Sequence, residues 1–177
     1  MKIKHVSTAA LYLATIPLAN WFISHVGNQA APGLPHTIPV GFGYQAPSGV
    51  LFIGIALFAR DILQEAVGKR HVLFLIAFGV ALSYLINPAV ATASAIAFAC
   101  GELADLFVYT QIKQRSHIAA IFCSGVIGSI IDSILFLQIA FGSTMFWQGQ
   151  VIGKVLITAL CALIVWIKSV VSDRVHS

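Results

Sequence analysis

A chain of 177 residues with a mean hydropathy of +0.93, 59% hydrophobic and 9% charged residues, cannot cover itself with a polar shell. Soluble domains carry about 25% charged residues, so this composition describes an integral membrane protein built as one compact bundle, without an added soluble domain. The formal charge of +4 is no signal for nucleic acid here, because Lys and Arg in such a chain mark the cytoplasmic side of each crossing.

In chain order, Lys2 and Lys4 precede an apolar core much as in a signal peptide. The apolar stretch runs on to Val26, however, with no prompt small-x-small cleavage site, so Val6–Val26 is read as a retained spanning helix. Segment 27–47 holds four prolines and four glycines and no Lys or Arg. It reads either as a plain connector or as a cap over an outward-facing cavity. The second run is Ser48–Val67 and the third is His71–Ile86, closed by Asn87 and Pro88. Lys69 and Arg70 require a tight turn between them. The remaining runs are Ala89–Tyr109, His117–Phe141 and Phe146–Val171. About 20 residues of helix cross a ~30 Å hydrocarbon core. The expected architecture is thus all-α, with six transmembrane helices.

The basic residues supply an independent check. Lys2 and Lys4, Lys69 and Arg70, Lys113 and Arg115, and Lys168 and Arg174 alternate with loops 27–47, 86–89 and 142–146, which have none. That alternation puts both termini in the cytoplasm. Trp147, Trp166, Tyr44 and Tyr109 fall near run ends, where interfacial anchors belong. Eight of the ten basic residues are explained in this way, and Arg60 and Lys154 are left over.

Five acidic residues, Asp61, Glu65, Glu102, Asp105 and Asp132, also fall inside the runs. Each charge at mid-bilayer costs about 2.5–3.5 kcal/mol on insertion scales unless it is paired or solvated. If Arg60 already lay in the cytoplasm, the second helix would reach only from about Ala46 to Ala59, roughly 21 Å, too short to cross. Arg60 and Asp61 therefore belong within the membrane, and Glu65 lies nearer its surface. Asp61 and Glu65 share one helix face, Arg60 and Gln64 the neighbouring one, and Glu102 and Asp105 a third. By depth, Arg60 can pair with Glu102, and Asp132 with Lys154 nearer the outside. Two cations against five carboxylates leave an excess of negative charge. Structural bridges account for the pairs, and a polar cavity near mid-membrane accounts for the excess.

Small residues recur along Ala93, Ala97 and Gly101, along Ser124 and Gly128, and along Gly149 and Gly153, as in tightly packed helices. Cys100, Cys123 and Cys161 lie in apolar runs without metal or redox spacing and read as small buried apolar residues. The six histidines are scattered, and no phosphate-binding loop, H-E-x-x-H or nucleophile motif occurs. Neither enzyme chemistry, a metal nor a cofactor is expected.

The blocks "APSGVLFIGIALFARDILQEAVGKR", "GELADLFVYTQIKQR", "IIDSILFLQIAFGS" and "WQGQVIGKVLIT" resemble the VUT family. These are six-helix membrane proteins once described as vitamin transporters and now associated with uptake of queuosine precursors. The resemblance runs from about Asn20 to Thr158. It rests on R-D-x-x-x-E at Arg60, E-x-x-D at Glu102, D-S-x-x-F at Asp132 and G-Q-x-x-G-K at Gly149. It implies an inner-membrane importer of a 7-deazaguanine-type base. Arg60, Asp61, Gln64, Glu102, Asp105, Asp132 and Lys154 are then the candidate substrate-binding residues. Asp105 and Asp132 would accept the base's N–H donors, Arg60 and Glu102 would order the site or gate it, and Lys154 would hold Asp132 or touch substrate. Phe107, Phe136 and Tyr84 are candidates for stacking on the base. Proton coupling through a carboxylate follows from the charge excess. Two alternatives remain open: a substrate-binding subunit served by a separate ATPase, and a structural membrane protein whose charges are internal bridges.

Overall fold

The computed structural model describes residues 3–175, apart from the side chains at 3, 4, 61, 69, 117, 118, 120–122, 162, 165, 166 and 168–175. Six helices carry the fold: α1 (Ile3–His25), α2 (Val50–Val67), α3 (Lys69–Ile86), α4 (Pro88–Ile112), α5 (His117–Phe141) and α6 (Trp147–Val175). Three stretches, His5–His25, Pro88–Ile112 and Cys123–Phe141, are long and apolar enough to cross a membrane. Arg70–Ile86 is a shorter apolar helix. α2 is interrupted by Arg60, Asp61 and Glu65, and that charge sets it apart from the three apolar spans.

The helix ends follow local chemistry. Asn87 caps α4 by accepting a hydrogen bond from the Val90 N–H at 3.1 Å, with Pro88 at the first helical position, where its missing N–H costs nothing. Ser116 accepts from the Ala119 N–H at 3.3 Å and starts α5. Gly142 ends α5 in the left-handed conformation. α2 and α3 are joined by Gly68 alone, at φ +83°, so Lys69 and Arg70 fall inside the first turn of α3 rather than ahead of it.

Segment 27–47 departs from the all-α expectation. It folds into a three-stranded antiparallel sheet, β1 (Asn28–Gln29), β2 (His36–Gly41) and β3 (Tyr44–Pro47), in the order β1-β2-β3. The register pairs Asn28 with Thr37, Thr37 with Pro47 and Ile38 with Ala46, and it shifts between Pro39 and Gly41. Pro39 cannot donate to a ladder, and it lies beyond the reach of β1, where β2 has one neighbour only. Pro47 ends β3 and so stays out of α2. Buried Ser48 ties the sheet to the bundle: its N–H donates to the His36 carbonyl at 2.8 Å and its hydroxyl to the Phe22 carbonyl at 2.7 Å. β3 packs on the start of α6, where a Cβ added to Gly149 would lie 1.9 Å from the Gln45 carbonyl oxygen.

Two apolar clusters hold the helices. Ile23, Val90, Ala93, Ala97, Phe136 and Leu137 join α1, α4 and α5. Tyr12, Ala59, Leu63 and Val72 join α1, α2 and α3. α4 and α5 form the closest helix pair, and the row Ala93, Ala97, Gly101 is buried along their seam. A Cβ on Gly101 would lie 2.9 Å from the Gly128 carbonyl oxygen, and one on Gly128 would lie 2.9 Å from that of Gly101. The two backbones touch, as small residues permit. Cys100, Cys123 and Cys161 are free thiols and only partly buried, so they are not the fully enclosed residues expected from their apolar setting.

This packing separates two glycines one turn apart. Gly128→Ala meets backbone and is expected to destabilise by about 1–3 kcal/mol, the usual range for overpacking. Gly125→Ala meets nothing within 4 Å. It should be neutral or slightly stabilising, since Ala is the better helix former by up to about 1 kcal/mol. Thermal melts of the two variants in detergent would check the contrast.

Candidate functional site

The close seam between α4 and α5 decides where the acidic residues sit. A Cβ on Gly101 would lie 2.9 Å from the Asp132 Cβ, and one on Gly128 would lie 3.1 Å from the Asp105 Cβ. The glycines therefore leave room for the two aspartates at the joint. α6 approaches α2 through a second set of glycines: Gly54 faces Ile157 and Gly153 faces Val50. That approach turns Lys154 inward.

Both charge pairs anticipated from helical depth are formed. Arg60 Nη1 donates to Glu102 Oε1 at 2.8 Å, and the guanidinium lies 5.8 Å from the Phe98 ring centre. Lys154 Nζ donates to Asp132 Oδ2 and, at 2.9 Å, to Ser133 Oγ. The two pairs differ in setting: the Lys154 side chain is 3% exposed, whereas that of Glu102 is 51% exposed.

Two chambers flank this layer of charge. One, of about 400 Å³, opens toward the sheet end of the bundle and is lined by residues of all six helices, among them Asn20, Phe52, Ser83, Phe136 and Gln150. The other, of about 840 Å³, extends toward the Gly68 end and is lined by Gln64, Glu102, Asp105 and Ser129 among others. Leu57, Arg60, Ile76, Phe98, Ala99, Asp132 and Lys154 line both and form the partition between them. A substrate entering either chamber meets the same two cations and the same aspartate.

Six of the seven candidate binding residues are therefore brought to these chambers. Arg60, Asp132 and Lys154 stand in the partition, and Gln64, Glu102 and Asp105 line the larger chamber. The seventh, Asp61, has its backbone in α2, but its side chain lies outside the described residues. Glu65 is exposed and lines neither chamber. Among the stacking candidates only Phe136 is placed in a chamber. Phe107 and Tyr84 are exposed and line neither, while Phe98 and Phe52 do. The correction is one of helix rotation: an aromatic near a charge in sequence need not share its face.

Several polar chamber residues escape a search for charge. Asn20 Nδ2 donates to Ser83 Oγ at 2.7 Å, linking α1 to α3 inside the sheet-side chamber. Gln150 lies there as well. Its signal in the sequence is position: it precedes Lys154 by one helical turn and so shares its face.

The two ion pairs should respond differently to truncation. Asp132→Ala leaves a buried ammonium without its carboxylate and is expected to cost roughly 3–5 kcal/mol. Glu102→Ala opens a largely exposed pair, worth about 0–1 kcal/mol. Melting of the purified variants in detergent should rank Asp132→Ala far below Glu102→Ala.

No curated protein and no solved structure matches the chain. Residues 83–171 do match a family model described as "putative vitamin uptake transporter". The matched span takes in α4, α5 and the greater part of α6, and with them Glu102, Asp105, Asp132 and Lys154. By this match over half its length the chain, a helical membrane protein with two chambers about an internal charge layer, belongs to the VUT family of vitamin uptake transporters.

Proposed function

We propose that this protein is a six-helix transporter of the inner membrane, with both termini in the cytoplasm, that imports a 7-deazaguanine-type precursor of queuosine. The observation that carries the reading is the shared partition: two chambers on opposite sides of one layer holding Arg60, Phe98, Asp132 and Lys154. A structural role for the ion pairs accounts for the bridges but not for cavities on both sides of them. Transporters bind near the bilayer midplane and expose one site alternately to each face, and charged residues retained at that depth mark such pathways.

In this reading the sheet-side chamber faces outward and the larger one inward. Asp105 and Asp132 accept N–H donors of the base, as paired carboxylate acceptors do. Phe98 and Phe136 offer ring faces to a flat ligand. The Arg60–Glu102 pair is the inner closure, exposed enough to open without a large desolvation change. Lys154 holds Asp132 until substrate competes for it. A carboxylate released from its cation is also the natural proton carrier, which makes uptake dependent on a proton gradient.

The test is uptake of radiolabelled 7-deazaguanine and its 7-cyano and 7-aminomethyl forms by proteoliposomes containing this chain alone. Uptake without a second protein is expected, and a need for an ATPase would instead make the chain a binding subunit. Asp105→Asn and Asp132→Asn should each lower uptake at least tenfold, the effect of about 1.4 kcal/mol. The exchange Asp132→Lys with Lys154→Asp rebuilds an ion pair. It should restore melting temperature but not transport, whereas restored transport would reduce these residues to a structural bridge. An inward proton gradient should accelerate uptake, and indifference to it would remove proton coupling.

A further inference from the structure

The sheet-side chamber holds one polar group that no ion pair uses. Gln150 is 1% exposed and lines the chamber, and its Oε1 finds no hydrogen-bond partner among the described residues. Its polar neighbours are engaged: Thr15 Oγ1 donates to the Tyr12 carbonyl at 2.6 Å, and Asn20 donates to Ser83 at 2.7 Å. Buried acceptors without a donor are rare in folded proteins, and one on a cavity wall is an acceptor waiting for a donor from the cavity's occupant.

The amide is held in place from behind. The Gln150 N–H donates to the Phe146 carbonyl at 2.9 Å, inside the first turn of α6. Gly149 packs against the Gln45 carbonyl so closely that even a Cβ would collide, which fixes that turn against β3. One turn deeper on the same face stands Lys154, held by Asp132 and Ser133. Phe52, Phe98 and Phe136 provide apolar and aromatic wall around this polar strip. A volume of about 400 Å³ is ample for a bicyclic base.

We propose that Gln150 is a specificity-determining residue whose Oε1 accepts a neutral N–H from a flat heterocycle bound in the sheet-side chamber. The assignment rests on the transporter reading above and adds to it an acceptor that carries no charge. An uncharged acceptor reads a ring or exocyclic N–H whatever the charge of the ligand's substituent. It therefore selects the heterocycle itself rather than a cationic side arm. A site built around such a bond rejects an analogue that cannot make it, because the buried acceptor is then left unpaired.

The test is equilibrium binding of 7-deazaguanine to the purified full chain in lipid nanodiscs, beside analogues methylated on one nitrogen at a time. The wild type should bind the parent and lose about tenfold or more for one methylated analogue. In Gln150→Leu the parent should fall to the affinity of that analogue, so that discrimination collapses toward unity. Gln150→Met, unbranched and without an acceptor, carries the same expectation should leucine pack badly, and Gln150→Glu should restore discrimination. A structural role would instead lower the melting temperature of Gln150→Leu and leave discrimination intact. Parent affinity and discrimination unchanged in Gln150→Leu and Gln150→Met overturn the assignment while leaving the transporter reading in place. Failure of the wild type to bind any of these bases overturns the substrate class, and this assignment with it.

Discussion

An ammonium group cannot remain charged inside an apolar bundle unless oxygen atoms are brought to it, and much of this fold serves to bring them to Lys154. The ammonium is 3% exposed and meets Asp132 and Ser133, which are adjacent in α5. For that meeting α5 must lie against α4 at glycine-to-glycine distance, or Asp132 would be displaced from the joint. α6 must likewise lie close to α2, which Gly54 and Gly153 permit. Neither approach can be relaxed alone, because a buried charge separated from its counter-charge is far costlier than a looser apolar contact. The small residues of the helix seams and the polar residues of the centre are thus parts of one arrangement.

How much of this was legible depends on the kind of signal. The helices were legible because apolar runs of spanning length leave little choice, and Asn87, Pro88, Ser116 and Gly142 punctuate them by ordinary cap chemistry. The Arg60–Glu102 and Asp132–Lys154 pairs were legible from depth alone, since rise per residue converts sequence position into height. The sheet at 28–47 was not legible. β1 has two residues, and Pro39 and the glycines of the segment argue against strands. What forms it is tertiary, namely the seat provided by Gly149 and the bonds of Ser48. Nor was the rotation of each helix legible. Phe107 and Phe136 lie in equally apolar surroundings in sequence, yet the first is exposed and the second lines a chamber.

The uncharged polar residues show why a search for charge finds only part of a site. Asn20, Ser83 and Gln150 lie above the ion pairs in the smaller chamber, where the wall is otherwise largely apolar. A neutral amide is less costly to bury than a charge, and it carries direction as well as polarity. Charges set where a polar ligand can rest, and amides determine which one fits.

Gly68 has a mechanical consequence. It is the whole connection between α2 and α3, so the two 18-residue helices share no slack. A tilt of α2 large enough to draw Arg60 away from Glu102 pulls directly on the first turn of α3. At the far end of α3, Ser83 is bonded to Asn20 of α1. α2, α3 and α1 are coupled in series like the arms of a linkage, with a pivot at one end and a latch at the other. Opening at the Gly68 side thereby loads the Asn20–Ser83 latch at the sheet side, so that events at one mouth of the bundle are felt at the other.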